Sequence, residues 1–186
     1  MVMTDAELVQ QAKDGSMDAL GRLYDLHAGA LFSFLRGMVD AHTAEDLVQD
    51  AFVAAAERLG EYEERGNFRA WLFSIARTRA LDRLRRIRSF RDKQDEIGYI
   101  HTLSDQKTPD SNSADRELAA IVRTAVRQLP EMQQAVFLMR EEGELSFKEI
   151  AAALHIPLNT ALSHMHRALD TLREALAHHN PGNYAE

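Results

Sequence analysis

Nine arginines fall within residues 65–91 of this 186-residue chain: Arg65, Arg69, Arg77, Arg79, Arg83, Arg85, Arg86, Arg88 and Arg91, with Asp82 the single acid among them. Guanidinium groups at this density neutralise phosphates. Tyr62, Phe68, Trp71 and Phe73 stand at the start of the same stretch. Cations that hold a phosphate backbone, beside rings on which bases stack, suit single-stranded nucleic acid. The blander alternative is a solvated basic face above packed aromatics, and Phe73 reads as core.

A second group of residues points to duplex DNA. Ser146-Phe-Lys-Glu149 is a capping box that opens a short helix to about Leu154. His155-Ile156-Pro157 makes a turn, and a longer helix runs on to about His178. Short helix, turn and longer helix form a helix-turn-helix pattern. Ile150, Leu154, Ile156, Leu162 and Met165 are expected to form its small core, with Ala151 allowing a close crossing. Asn159, Thr160, Ser163 and His164 then face the major groove. An ordinary helical hairpin is the alternative, since this last helix holds only Arg167 and Arg173 against Asp170 and Glu174.

A third surface is acidic. Helix 43–60, with Thr43 as its expected N-cap, carries Glu45, Asp46, Gln49, Asp50 and Glu57 away from a stripe of Leu47, Ala51, Ala54, Ala55 and Leu59. It reads either as a solvated face or as a docking surface for a basic protein. Enzyme chemistry has little to work with. No glycine-rich loop follows a strand, His164 and His166 do not face each other on a helix, and His178 and His179 fall in the C-terminal tail. No metal, cofactor or catalytic residue is expected, and with no cysteine there is no disulfide.

The elements that must carry these groups are helical throughout. Thr4 and Glu7 open a first helix that Gly15 ends. A second begins near Ser16 and bears Leu20, Leu23, Leu26, Leu31, Phe34, Leu35 and Met38. The arginine helix runs from Phe68 to about Ile87, with Leu72, Ile75, Ala76, Ala80, Leu84 and Ile87 facing inward. Residues 89–115, with Pro109 among Ser, Asp, Asn and Thr, read as a linker. Helices return at 115–128 and 130–142. The net charge of −7 hides strong segregation: −9 over residues 1–64, +8 over 65–91, and −3 each over 92–116 and 117–186. The fold class is all-α, two small helical domains joined by a polar linker. The N-terminus lacks a secretory signal and no apolar run is long enough for a membrane span, so a cytoplasmic protein is expected.

Three segments carry a family resemblance. Thr43-Ala-Glu-Asp-Leu-Val-Gln-Asp-Ala-Phe52 resembles the AEDLVQ(E/D)xF segment of sigma region 2. Residues 68–83 resemble its FxxWLxxIARNxxxDxxR segment. Leu129-Pro-Glu-Met-Gln-Gln-Ala-Val-Phe-Leu138, with the helix-turn-helix to Leu172, resembles sigma region 4. In order and at this spacing they are similar to a bacterial RNA polymerase sigma factor of the extracytoplasmic-function group. The resemblance implies a region 2-like domain over 1–91, a linker over 92–115, a region 4-like domain over 116–178 and a tail over 179–186.

It also implies partners and roles. Glu45, Asp46, Gln49 and Asp50 would dock on the clamp helices of the largest polymerase subunit. Tyr62, Arg65, Asn67, Phe68, Arg69, Trp71, Arg77, Thr78, Arg79, Arg83 and Arg86 would melt and read the promoter −10 element. Ser146, Lys148, Asn159, Thr160, Ser163, His164 and Arg167 would contact the −35 element, with the flap of the second-largest subunit as a further partner. Control by an anti-sigma factor is a further expectation. The chain departs from the family pattern at Thr78 in place of Asn, His155 in place of a turn Gly, and Leu162 and His164 in place of a Lys and an Arg. Two other readings stand beside this one: a helix-turn-helix regulator with a helical sensor domain, and a sigma-like protein kept for protein interactions alone.

Overall fold

The computed structural model describes residues 3–63, 67–95 and 113–177. These residues are helical without a strand among them: α1 (Asp5–Lys13), α2 (Met17–Arg36), α3 (Ala41–Arg58), a 3-10 turn (Leu59–Glu61), α4 (Phe68–Asp95), α5 (Ser113–Gln128), α6 (Glu131–Glu141), α7 (Phe147–Ala153) and α8 (Leu158–Ala177). The helix starts follow cap chemistry. Thr4 with Glu7 and Ser146 with Glu149 form complete capping boxes, and the Ser16 hydroxyl accepts from the Ala19 amide. Gly15 turns the chain between α1 and α2 at φ +95°, where a Cβ would be strained.

Two boundaries differ from expectation. Thr43 is not the cap of α3. Asp40 is, accepting from the Thr43 amide at 3.0 Å and the Thr43 hydroxyl at 2.7 Å. A carboxylate three residues upstream satisfies the first-turn donors at least as well as a threonine, so the helix starts earlier. Helix α4 continues past Ile87 to Asp95, because the Arg, Lys and Gln that follow favour helix and no Gly or Pro stops it before Gly98. The expected linker thus begins inside α4 and ends inside α5. Residues 96–112, Arg65 and the tail from His178 lie outside the described residues.

In the N-terminal unit α1, α2, α3 and α4 bury Leu8, Leu23, Leu31, Phe34, Leu35, Leu47, Leu72 and Phe73. Ala44, Ala51, Ala55, Ala76 and Ala80, all buried, line the contact that brings α3 against α4. In the C-terminal unit α6 and α7 pack on α8 through Val136, Met139, Ile150, Ala161, Ala168 and Leu172. Two expected core residues are instead exposed. Leu26 (56 %) lies off the line of Leu23, Leu31 and Phe34. Leu162 (44 %) lies one position off the buried line Ala161, Met165, Ala168 and Leu172.

The two units are not held apart. Leu138 of α6 sits directly on Gly37 at the end of α2, and a Cβ added to Gly143 would lie 3.0 Å from the Phe73 ring. Arg127 reaches from α5 to donate to the carbonyls of Arg36 (3.3 Å) and Val39 (2.8 Å). One hydrophobic core therefore continues from α2 and α4 into α6 and α7.

Candidate nucleic-acid interface

Asn67 immediately precedes α4, and its side-chain oxygen accepts from the Arg69 amide at 2.9 Å. Around this start four rings pack together. Tyr62 lies 4.9 Å from Trp71 and 5.9 Å from Phe68, Phe68 lies 5.8 Å from Trp71, and His27 lies tilted against Phe68 at 5.6 Å. Tyr62 and Phe68 are buried and Trp71 is half-buried. Lys13 caps the cluster, its ammonium 5.5 Å from the Tyr62 ring centre and donating to the Tyr62 carbonyl. Of the aromatic residues assigned to bases, Trp71 alone offers substantial surface as the protein is folded.

The basic residues divide into two sets. Thr78, Arg79, Arg83 and Arg86 are exposed. Asn67, Arg69 and Arg77 are half-buried and held by acids of the C-terminal unit. Asn67 Nδ2 donates to Glu149 Oε1 at 2.8 Å, Arg69 Nη1 lies 3.4 Å from Glu144 Oε2, and Arg77 pairs with Glu131. Burial raises the Glu149 pKa, but hydrogen bonds from Asn67 and Ser146 and the charge of Arg69 outweigh it and hold the carboxyl below its ordinary value. A cleft of about 440 Å³ remains between Tyr62, Ala70 and Trp71 on one side and Lys148, Ala152, Ala153 and His155 on the other.

Glu45, Asp46, Gln49 and Asp50 are all exposed on α3. Asp46 and Asp50 share a polar groove of about 140 Å³ with Arg79, Arg83 and Arg86 of α4. The α3–α4 pair thus brings the acidic residues and the free arginines onto adjoining faces.

In the helix-turn-helix, Ser146 spends its side chain as the cap of α7, and Lys148 is exposed. The turn is closed by the His155 and Ile156 amides on the carbonyls of Ala152 (3.2 Å) and Ala151 (3.0 Å). His155 takes φ +54°, the left-handed conformation that a glycine would adopt freely. On α8, Asn159, Ser163 and Arg167 are exposed, while Thr160 and His164 are half-buried. The Ser163 hydroxyl donates to the Asn159 carbonyl at 2.9 Å.

Several residues in this arrangement carry no local sequence signal. His27 is buried with Nε2 2.9 Å from Asp5 Oδ2. Burial pushes its pKa down, Asp5 pushes it up and Arg69 pushes it down, with a net lowering. Glu131, Glu144 and Arg127 pair with residues 54 to 91 positions away.

An arginine helix beside an acidic one, continuous with a helix-turn-helix, defines a helical DNA-binding transcription factor. The chain belongs, more narrowly, to the extracytoplasmic-function group of bacterial RNA polymerase sigma factors. The family model for Sigma-70 region 2 matches residues 23–90 and that for Sigma-70 region 4 matches residues 119–172. The chain is 34 % identical to the RNA polymerase sigma factor CarQ of Myxococcus xanthus over 90 % of its own length and 95 % of the relative's. It is 26 % identical to the ECF RNA polymerase sigma factor SigW of Bacillus subtilis over 95 % and 98 %. Among solved structures it resembles CnrH in complex with the cytosolic domain of CnrY, at TM-score 0.72 and 26 % identity, over 95 % of this chain and 99 % of that one. A sigma factor confers promoter specificity on core RNA polymerase, and this chain is one. No described helix is long and apolar enough to cross a membrane.

Proposed function

We propose that the chain initiates transcription with its parts divided by residue as follows. Residues 1–91 form the polymerase-docking and −10 unit, 92–115 the linker, 116–178 the −35 unit and 179–186 a tail. Glu45, Asp46, Gln49 and Asp50 dock on the clamp helices of the largest subunit. Residues 61–68 and helix α4 open the duplex and hold the non-template strand at −10. The C-terminal unit sits on the flap of the second-largest subunit and presents α8 to −35. Polymerase supplies the catalysis, and the setting is the cytoplasm, where core polymerase is.

The observation that carries this reading is the adjoining placement of the α3 acids and the α4 arginines. A protein that covers Asp46 and Asp50 leaves Arg79, Arg83 and Arg86 at the rim of the contact, where DNA running along α4 meets them. Asn67, Arg69 and Arg77 join that track only once Glu149, Glu144 and Glu131 have moved away, so promoter opening requires the two units to separate. A protein partner that holds them together would act as an anti-sigma factor. The similarity to CnrH, solved in complex with the cytosolic domain of CnrY, supports control through a bound protein partner.

The test is affinity for core polymerase. Asp46→Arg with Asp50→Arg places cations against the partner surface, and like-charge juxtaposition costs several kcal/mol at an interface. Both positions are exposed, so the helical fold is retained. The double variant is expected to lose at least tenfold in core binding, and unchanged affinity refutes the docking assignment.

A further inference from the structure

Leu162 is an expected residue of the helix-turn-helix core, which leaves it out. It is 44 % exposed, and Leu158, one turn earlier, is 38 % exposed. The exposed side chains around Leu162 on α8 are Asn159, Ser163, His166 and Arg167. A single exposed leucine needs no explanation on an ordinary surface. Here it flanks exposed Asn159 and Ser163 on the helix that a helix-turn-helix lays into the major groove. Among the base edges in that groove, the one apolar group that projects outward is the C5-methyl of thymine.

The polar neighbours are partly committed. Ser163 has given its hydroxyl hydrogen to the Asn159 carbonyl, so it has none to donate to a base. His166 Nε2 lies 3.6 Å from Asp170. Asn159 and Arg167 remain as donors, with Leu162 beside them. A leucine pressed against a purine or cytosine edge would bury a donor or acceptor without a partner, at a cost. Against a thymine it buries a methyl group.

Resting on the sigma-factor reading above, we propose that Leu162 is a specificity-determining residue of the −35 contact and reads the methyl group of a thymine. Asn159 is suited to adenine N6 and N7, so the two residues together direct the element toward A·T pairs where they meet it.

The experiment uses full-length protein with core polymerase on a promoter library randomised across −35. Each thymine of the selected element is then replaced singly by deoxyuridine, which lacks only the methyl. One replacement is expected to weaken the holoenzyme–promoter complex about fourfold, the worth of one buried methyl-sized group. In Leu162→Ala the same replacement has no further effect and the thymine preference at that position disappears. Leu162→Val, which keeps an apolar end, retains it. Because Leu162 is off the core line, both variants keep the wild-type melting temperature. An unchanged thymine preference in Leu162→Ala overturns the inference and leaves the sigma reading intact. A holoenzyme that shows no selection at −35 overturns both.

Discussion

Gly37 and Leu138, the one closing α2 and the other in the middle of α6, meet so closely that a Cβ on Gly37 would stand 3.2 Å from Leu138 Cγ, with both terminal methyls nearer still. The backbone of Gly37 is ordinary right-handed helix, so glycine is required there by the approach of the other unit and not by its own dihedrals. The Arg69–Glu144 and Arg77–Glu131 pairs border the same junction, but their glutamates are 77 % and 51 % exposed. Solvent-exposed pairs contribute little. The apolar contact, with the Arg127 hydrogen bonds to the Arg36 and Val39 carbonyls, holds the closed form.

Closure can therefore be locked. The chain has no cysteine, so Gly37→Cys with Leu138→Cys introduces a single possible crosslink, at a contact where a Cβ on residue 37 stands 3.2 Å from Leu138 Cγ, the position that a cysteine sulfur would approach. The oxidised variant is expected to run as a compact monomer on gel filtration and to lose promoter opening at least tenfold. Reduction of the same sample restores it. Equal open-complex yields before and after reduction would show that separation of the units is unnecessary.

Trp71 keeps part of its surface free above the 440 Å³ cleft while Tyr62 and Phe68 are packed beneath it. Stacking on an aromatic side chain is worth roughly 1–3 kcal/mol per base. Trp71→Ala is expected to assemble with core polymerase normally and to reduce permanganate-reactive open complex roughly 5- to 150-fold. Loss of the helical circular dichroism signal in this variant would instead make Trp71 a packing residue.

His27 sets an acid limit on the N-terminal unit. Its folded pKa is below the ordinary value of 6.5 because burial, with Arg69 adding to it, outweighs the pull of Asp5. The unfolded chain then binds more protons than the folded one below that value, so stability is full above it and falls as pH drops through the folded pKa. Urea midpoints measured from pH 7.5 to 5 should decline in the wild type. In His27→Gln the decline over that window is shallower. A pH profile that His27→Gln leaves unchanged would assign the acid sensitivity elsewhere.

Much of this was legible in the sequence, for a local reason. Capping boxes at Thr4 and Ser146, the three-and-four spacing of Leu47, Ala51, Ala54 and Ala55, and the run of arginines are all written within a few residues. Thr43 misled because Asp40, three residues earlier, offers the same amides a carboxylate. Leu162 misled because apolarity alone does not say on which side of a helix's buried line a residue falls. The closed junction left no local trace. Gly37, Phe73, Leu138 and Gly143 look like parts of separate helices until the chain brings them together, and Glu131 and Glu144 look like solvated acids until Arg77 and Arg69 reach them.

Whether this chain directs initiation is read by a reconstituted transcription assay. Core RNA polymerase, the full chain and a DNA library are combined, run-off starts are mapped, and permanganate footprinting reads strand separation upstream of each start. Starts are expected to depend on the added protein, with unpaired thymines at −10 and a selected element at −35. Core polymerase that starts at the same places with and without the protein would contradict it.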